Sequence, residues 1–546
     1  MPTEKPNILL MMADQFRADA LGCAGNPHVK TPGLDRMAAE GLRFTRGYTP
    51  VPVCIAARHA TLTGQRCAVT GRFANNIPEP EPMLYTLPQL LGSAGYHTRA
   101  IGKMHWKPMR NHHGFQRMEL QEETPEFRED DDYLLYLKAN GWGRLRQAHG
   151  VRNILYHMPQ VSPLPEAHHA SSWVADRTVE FLRRHRRAQP QRPFFCWTSW
   201  IHPHPPWNPP ESCAKLYDPA SLPLPSDGQR ALETLPPAFY KQARYDGCWN
   251  APPERLRKIK AAYYACVSLV DKGAGRILDA LDELGLAENT LVLFVADHGE
   301  MLGDHGLFQK SSPFEAAARV PFLMRMPGHV DQGRTRDEFV SLLDIMPTAL
   351  ELAGAQYPGT RPLPGASLLG QSGGGLAAPR EEIVLEHGAP SGRWLSLRRG
   401  NWKYNYFTRD GWEELYDLAA DPQEASNLLL GQPTASHRPR ANEMKAALTD
   451  WERANGFPAS LDARRELVNH RLPPPSAEPI INTQLPPWNA TLTPEDEALM
   501  ESWGDSMLEP LRFENTVRVQ DLDLKKFKAI GGSFAGRPEQ KLLEGL

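Results

Sequence analysis

The strongest constraint on the fold is a series of short, almost uninterrupted apolar runs, each followed directly by polar residues. Strands that are apolar on both faces are typical of a parallel sheet covered by helices on both sides. Amphipathic stretches alternate with these runs, and the clearest, over residues 263–284, has a period close to 3.6 residues. We therefore predict an α/β fold with a large, mixed but mostly parallel sheet and helices on both faces. The runs assigned to strands are residues 8–13, 98–101, 194–200 and 291–296.

The pattern changes twice along the chain. After a group of glycines at 373–375, the sequence of residues 382–427 has the pattern of short strands separated by turns. From residue 471 the chain becomes rich in proline and loses sustained periodicity. We predict a large α/β domain over residues 1–375, a smaller C-terminal α+β domain over 376–470, and an extended Pro-rich tail over 471–546. The tail is a candidate oligomerisation arm for a dimer or tetramer.

Composition excludes several classes of protein. The 546 residues include 61 basic and 64 acidic side chains, a formal net charge of −3 at pH 7, so we expect no nucleic-acid partner. No apolar run approaches the ~18 residues of a membrane span, and the N-terminal run is too short for a signal peptide. The 7 cysteines are an odd number without C-x-x-C spacing, which argues against a disulfide framework or a zinc knuckle. We expect a cytoplasmic protein with no membrane partner.

Polar residues stand directly after three of the predicted strands. Asp14 and Gln15 follow the first strand, residues 102–105 follow the second, and Asp297 and His298 follow the fourth. In open α/β sheets, ligands bind beyond the carboxyl ends of the strands. Two carboxylates with an amide oxygen and an imidazole form a plausible divalent cation site. Each aspartate taken alone is better explained as a helix cap, so the prediction rests on their combination.

Cys54 begins an apparent helix after the Pro-containing stretch at 49–52, and Arg58 lies one turn further on. A cysteine at a helix N-terminus lies in positive potential, and Arg58 is placed to hold its sulfur or an oxygen product. This arrangement suits a nucleophile. From these residues alone, a small buried cysteine that packs under the helix is the alternative.

These residues belong to an ordered set of motifs that resembles the sulfatase family. Cys54-x-Ala56-x-Arg58 is similar to the maturation signature Cys-x-(Pro/Ala)-x-Arg, whose cysteine is oxidised to formylglycine, and Ala56 stands where the commonest form has Pro. Residues 95–105 resemble the second sulfatase signature. The resemblance covers about residues 5–430. Its further matches are Asn75, residues 202–205, 297–300, 303–310, 342–348, 402–404 and 414–418.

Within the alkaline phosphatase superfamily, the resemblance falls on the branch shared by formylglycine-dependent arylsulfatases and phosphonate monoester hydrolases. The residue pairs at 14–15 and 297–298 are similar to those of phosphonate monoester hydrolases. Lys103 and His105 instead look like the Lys-x-His pair of sulfate ester hydrolases.

The resemblance implies a cofactor and a set of site residues. The cofactors are formylglycine from Cys54 and one divalent cation, for which calcium is the preferred assignment and manganese and magnesium are the alternatives. A hydroxyl of the hydrated formylglycine would attack sulfur, His204 or Lys310 would protonate the leaving oxygen, and His105 would take the proton that releases sulfate. The implied metal ligands are Asp14, Gln15, Cys54, Asp297 and His298; the implied catalytic residues are Cys54, Arg58, Lys103, His105, His204 and Lys310; the implied substrate-binding residues are Asn75, Lys103, His204 and Lys310.

We therefore predict hydrolysis of small-molecule sulfate monoesters, aryl sulfates first, in a protein matured by a formylglycine-generating enzyme. Hydrolysis of phosphonate monoesters or phosphodiesters at the same site is the first alternative, and cross-activity is expected because the tetrahedral anions are alike. An unmodified protein that binds anions or serves in assembly is the second. A two-metal phosphatase is the weakest reading, because the further Asp or His ligands that it needs have no matching positions.

Overall fold

The computed structural model of the chain describes residues 5–76, 83–145, 147–150, 152, 157, 159–226, 232–243, 251–431 and 434–473. Apart from residues 471–473, the predicted Pro-rich tail lies outside the described residues. Its role as an oligomerisation arm therefore stays a prediction.

An eight-stranded sheet forms the centre of the described structure. Its strands are β1 Asn7–Asp14, β2 Leu42–Tyr48, β3 His97–Gly102, β4 Arg117–Leu120, β5 Phe194–Pro203, β6 Thr290–Ala296, β7 Phe322–Arg325 and β8 Arg334–Ser341. They lie in the order β4-β3-β5-β1-β6-β7-β2-β8. Only β7 runs antiparallel to its neighbours, and every other pair is parallel. The predicted mixed, mostly parallel sheet is confirmed, and all four apolar runs are strands within it.

Helices pack on this sheet in two groups. Helix α9 (Pro253–Glu283) contacts both α1 (Pro32–Ala39) and α6 (Ala170–Ala188). Helix α2 (Cys54–Thr63) packs with α4 (Leu87–Ser93) and α11 (Ile345–Ala353). The stretch predicted as helical over 263–284 is the C-terminal part of α9. This helix begins earlier, at Pro253, because the first turn of a helix makes no use of the backbone N–H that proline lacks. The described helices are α1 Pro32–Ala39, α2 Cys54–Thr63, α3 Cys67–Thr70, α4 Leu87–Ser93, α5 Asp132–Leu137, α6 Ala170–Ala188, α7 Glu211–Ala214, α8 Tyr240–Ala243, α9 Pro253–Glu283, α10 Glu315–Ala318, α11 Ile345–Ala353 and α12 Arg438–Asn455.

A smaller antiparallel sheet follows in the chain, as predicted for the C-terminal part. Its strands are β9 Glu382–His387, β10 Trp394–Arg399, β11 Trp402–Phe407 and β12 Glu413–Asp417, in the order β12-β11-β10-β9. Helix α12 packs on β10 and β11. This α+β unit confirms the second part of the fold prediction, while the division of the chain at residue 375 stays a prediction.

The small sheet is joined to the segment that carries Cys54. The backbone N–H of Glu386 donates to the carbonyl oxygen of Pro50 at 3.0 Å, and the N–H of Gly388 donates to the carbonyl of Phe73 at 2.8 Å. The Glu386 carboxylate also accepts from the backbone N–H of Cys67 at 3.3 Å. The two sheets are therefore linked through residues on both sides of Cys54.

None of the helices in the described ranges is long and apolar enough to cross a membrane. The six cysteines that these ranges contain are free thiols.

We predict that replacing Arg393 with alanine lowers the free energy of unfolding by about 3–5 kcal/mol, because it leaves two buried carboxylates without their cation. The Arg393 guanidinium is fully buried; it lies 3.1 Å from the Glu452 carboxylate and also pairs with Glu386. Urea unfolding followed by circular dichroism measures the loss. Arg399→Ala, at the last residue of β10 and partly exposed beside Glu382, is the control, with an expected loss below about 1 kcal/mol. Equal losses in the two variants would contradict the prediction.

Candidate active site

Four neighbouring parallel strands deliver the candidate residues to one edge of the sheet. Asp14 is the last residue of β1, and Asp297 and His298 follow β6. Lys103 follows β3, and His204 follows β5. Because β3, β5, β1 and β6 are adjacent and parallel, their carboxyl ends meet, as expected for a ligand site in an α/β sheet.

Gly102 makes the turn out of β3 possible. Its φ of +92° lies in the left-handed region, and a Cβ at this position would overlap the carbonyl oxygen of Ser199 on β5. The same carbonyl accepts a hydrogen bond from the backbone N–H of Lys103 at 3.0 Å. This close approach places the Lys103 side chain at the sheet edge.

The centre of the site is a fully buried cluster of Asp14, Cys54, Asp297 and His298, whose ligand atoms all lie within 4.8 Å of one another. His298 Nε2 is 3.1 Å from the Cys54 sulfur and 3.4 Å from Asp14 Oδ1. His298 Nδ1 is 2.8 Å from the carbonyl oxygen of Gly299, so Nδ1 carries the proton and Nε2 presents its lone pair to the cluster. Two buried carboxylates with an imidazole and a fourth donor fit a divalent cation.

Gln15, the fifth predicted ligand, lies beside this cluster. Its backbone N–H donates to Asp297 Oδ1 at 3.1 Å, and its amide oxygen accepts from Lys310 Nζ at 2.7 Å. Its amide nitrogen donates to Glu300, a buried carboxylate within the motif at 297–300 to which the sequence analysis assigned no role. An amide oxygen has two lone pairs, so Gln15 keeps the capacity to face a cation as well as Lys310.

Two buried cations balance the charge of the aspartates. Arg58 Nε donates to Asp297 Oδ2 at 2.8 Å, and Lys103 Nζ lies 2.5 Å from Asp14 Oδ2. Burial alone would raise the pKa of Asp297, but His298 and Arg58 lower it to about 2. Burial alone would lower the pKa of Lys103, but the Asp14 carboxylate raises it above its usual range. The aspartates are therefore ionised and the lysine is charged at neutral pH.

Cys54 is the first residue of α2 and is completely buried. The side-chain oxygen of Asn75 accepts from the backbone N–H of Ile55 at 3.1 Å, which brings this predicted substrate-binding residue to the same helix end. Burial and the Asp14 carboxylate raise the pKa of the Cys54 thiol to about 12. With only protein groups around it, an unmodified Cys54 is therefore protonated at neutral pH.

A second group of side chains lies next to the cluster, around the carboxylate of Glu123. Glu123 Oε1 is 3.0 Å from Lys103 Nζ and 3.9 Å from His105 Nε2, and its Oε2 is 3.1 Å from His204 Nδ1. Lys310 Nζ lies 2.8 Å from His204 Nε2. The structure thus joins three of the predicted catalytic residues, Lys103, His105 and His204, through a carboxylate that the sequence analysis missed, and Lys310 joins them through His204.

One signal could have found Glu123. The pair Glu122 and Glu123 comes one residue after the end of β4, much as the predicted site residues follow their strands. The sequence Arg-Met-Glu-Leu of β4 is short, and its side chains alternate between exposed and buried, as on an edge strand. A search for long apolar runs could not detect it.

The site combines a cysteine at a helix N-terminus, a buried cluster that could hold a cation, and converging lysines and histidines. These groups lie at the carboxyl edge of a mostly parallel sheet, an arrangement typical of a hydrolase that acts on charged esters. The model of the Sulfatase family matches residues 6–355. The model of the N-sulphoglucosamine sulphohydrolase C-terminal region matches residues 303–453. The chain belongs to the sulfatase family.

Individual relatives agree with this assignment, and a solved structure has a similar fold. An arylsulfatase of Clostridium perfringens is 35% identical over 449 residues, which cover 78% of this chain and 90% of that protein. A choline-sulfatase of Rhizobium meliloti is 30% identical over 489 residues, 86% of this chain and 92% of that protein. The fold is also similar to the crystal structure of a phosphonate monoester hydrolase of Agrobacterium radiobacter, with a TM-score of 0.68, 24% identity, and coverage of 83% of this chain and 96% of that chain.

We predict that Ca²⁺ or Mn²⁺ stabilises the protein through the buried cluster. At a free ion concentration about 100 times the dissociation constant, the free energy of unfolding should rise by about 2.7 kcal/mol, because the ion binds only the folded state. Asp14→Asn should remove most of this increase. Denaturant unfolding with and without the ion measures it.

The matched control is Asp271→Asn, a buried carboxylate that accepts from the backbone N–H groups of Gly33 and Leu34 at 3.1 and 2.7 Å. This variant should keep the full ion-dependent increase, whatever its basal stability. A wild-type protein without any increase, or an Asp14→Asn variant that retains it, would disprove the assignment of the cluster.

Proposed function

We propose that this protein hydrolyses sulfate monoesters, aryl sulfates first, after oxidation of Cys54 to formylglycine. The observation that carries the proposal is the convergence of Lys103, His105, His204 and Lys310 beside the buried cluster that contains residue 54. A site with two lysines and two histidines provides positive charge for a sulfate group and places for the protons that its transfer requires. The arylsulfatase among the relatives supports the same substrate class.

A divalent cation held by Asp14, Gln15, Asp297, His298 and residue 54, with calcium first and manganese or magnesium as alternatives, would supply Lewis-acid activation to the formylglycine nucleophile. The high pKa of the unmodified Cys54 thiol supports the need for this modification, because a protonated thiol is a poor nucleophile. Because Cys54 is fully buried, the maturation enzyme would act on the chain before it folds.

The surrounding side chains have distinct proposed roles. Arg58 would hold the oxygen of residue 54, and Asn75 would bind a sulfate oxygen from the end of α2. Lys103 and Lys310 would bind the other non-bridging oxygens through their ammonium groups.

Proton transfer would use the two histidines. His204 or Lys310 would protonate the leaving alcohol oxygen. Burial and the neighbouring Lys103 hold the pKa of His105 well below its usual range, so that His105 is neutral at neutral pH and can take the proton that accompanies sulfate release.

Hydrolysis of phosphonate monoesters or phosphodiesters at the same site is the second candidate function. It is favoured by Gln15 and His298 at the cation cluster and by the structural similarity to a phosphonate monoester hydrolase. The two functions share the same electrostatic site, so each substrate class should show some turnover.

Three further proposals rest on the sequence. The chain divides into units at residues 1–375 and 376–470, it assembles as a dimer or tetramer with the tail at 471–546, and it works in the cytoplasm.

We predict that peptide mass spectrometry of active protein finds formylglycine in place of Cys54. Cys54→Ala should lower kcat for 4-nitrophenyl sulfate by roughly 10⁶-fold, the order of loss that follows removal of a covalent nucleophile. Cys196→Ala, a buried cysteine in the middle of β5, is the matched control and should keep the activity of its folded fraction. An unaltered thiol in active preparations would refute the formylglycine mechanism, and an unaltered thiol in an inactive protein would favour the anion-binding or assembly alternative.

We predict that kcat/KM is higher for 4-nitrophenyl sulfate than for 4-nitrophenyl phenylphosphonate, because Lys103 and His105 face the reacting group. Both esters have the same leaving group, so their ratio reports the preference for the transferred group alone. Steady-state kinetics of the matured, cation-loaded protein gives both values. A phosphonate value that exceeds the sulfate value by orders of magnitude would reverse the assignment in favour of the second candidate function.

A further inference from the structure

Glu123 connects parts of the candidate site that come from different strands. It is 7% exposed, and its two oxygens lie 3.0 Å from Lys103 Nζ and 3.1 Å from His204 Nδ1. The guanidinium of Arg152, itself 3% exposed, lies 3.1 Å from Oε2. A single carboxylate thus accepts hydrogen bonds from Lys103, at the end of β3, and from Arg152, a residue outside the sulfatase motifs, and forms an ion-pair contact with His204, at the end of β5.

The neighbours of His204 determine which ring nitrogen carries its proton. Nδ1 lies 3.1 Å from Glu123 Oε2 and 2.7 Å from the carbonyl oxygen of Pro205, and both of these atoms only accept hydrogen bonds. Nε2 lies 2.8 Å from Lys310 Nζ, and an ammonium group only donates. Nδ1 is therefore protonated, and Nε2 points toward Lys310 and the reacting centre.

A carboxylate on Nδ1 has two effects on such an imidazole. It fixes the ring orientation, and its negative charge stabilises the imidazolium form, as in other carboxylate–imidazole pairs of enzymes. Burial lowers the pKa of His204 well below its usual range, and Glu123 is the strongest of the groups that oppose this shift. Burial alone would raise the pKa of Glu123, but His204, Lys103 and Arg152 hold it well below its usual range, so Glu123 is ionised.

We infer that Glu123 is a positioning residue that enables His204 to protonate the leaving alcohol, an inference that rests on the proposed function. As the oxygen of residue 54 bonds to sulfur, the bond between sulfur and the alcohol oxygen breaks, and its electron pair goes to that oxygen. Lys310 Nζ, which donates to Nε2, passes its proton to the ring, whose imidazolium form Glu123 stabilises, and Nε2 gives this proton to the alcohol oxygen; water then reprotonates Lys310. Nδ1 keeps its proton throughout; it donates to the carbonyl oxygen of Pro205 and lies 3.1 Å from Glu123 Oε2.

The test compares two aryl sulfates that differ in their need for a proton. Phenyl sulfate releases a basic phenolate and needs protonation, whereas 4-nitrophenyl sulfate releases a stable anion. In the matured protein, Glu123→Gln should lower kcat/KM for phenyl sulfate about 10²-fold, which is the lower end of the usual contribution of a general acid. The same substitution should lower kcat/KM for 4-nitrophenyl sulfate less than about tenfold. Glu123→Asp should recover part of the phenyl sulfate rate.

Glu122→Gln is the matched control. Glu122 is the buried neighbour whose carboxylate accepts from the backbone N–H groups of Met104 and His105, both at 2.7 Å. Any loss in this variant should be the same factor for the two esters. An equal factor for both esters in Glu123→Gln would overturn the inference, because a structural or purely charge-balancing role affects them alike.

A second measurement separates this inference from the proposed function. Nitrogen-15 NMR of the His204 side chain in the unmatured full chain should give the Nδ1–H tautomer, and Glu123→Gln should shift its Nδ1 resonance. A wild-type ring in the Nε2–H tautomer, or resonances unchanged in the variant, would overturn the inference even if sulfates are hydrolysed. A matured wild type that hydrolyses neither ester would instead refute the proposed function. The NMR result would then still show whether Glu123 contacts His204.

Discussion

The parallel pairing of β3, β5, β1 and β6 is the constraint on which the rest of the site depends. Ala13 of β1 is in register with Trp200 of β5 and with Ala296 of β6, so the residues that follow these positions emerge side by side. Parallel strands of this kind are buried on both faces, and their apolar side chains form the core of the molecule. The same apolar pattern that drives folding therefore also fixes where the charged residues meet.

The charges at this edge are buried together, and their balance depends on each partner. Asp14 and Asp297 face Arg58 and Lys103 in a region without exposure to solvent. Burying such groups is unfavourable unless each is paired and hydrogen-bonded, and this explains why Arg58 also donates to the carbonyl oxygen of Lys103 at 2.6 Å. A divalent cation in the cluster would add positive charge where the two carboxylates lie closest to His298. The same charged side chains therefore determine the stability of this region and its proposed chemistry.

Much of the fold and of the site could be predicted from the sequence, for two physical reasons. Long apolar strands such as β1 and β6 have an unmistakable pattern, and the residues that follow them must lie at the carboxyl edge of the sheet. Glu123 and Arg152 could not be predicted in this way. Glu123 follows a four-residue edge strand, and Arg152 meets it only through the folded path of the intervening chain. Their contact depends on tertiary packing, and neither the periodicity of the sequence nor the motifs at strand ends contain information about it.

The small sheet contributes to the site without touching the reacting groups. Its strand β9 donates a backbone hydrogen bond to the carbonyl of Pro50. The backbone N–H of Ser311 donates to the carbonyl of Pro52 at 2.9 Å, and the indole of Trp394 on β10 donates in turn to the carbonyl of Ser311 at 2.8 Å. The segment before Cys54 is thus held by hydrogen bonds from the second sheet and from the loop that bears Lys310. A nucleophile at a helix end needs a fixed entry into the helix, because small displacements there alter the distance to the reacting atom. The C-terminal unit is therefore better understood as part of the support of residue 54 than as an independent module.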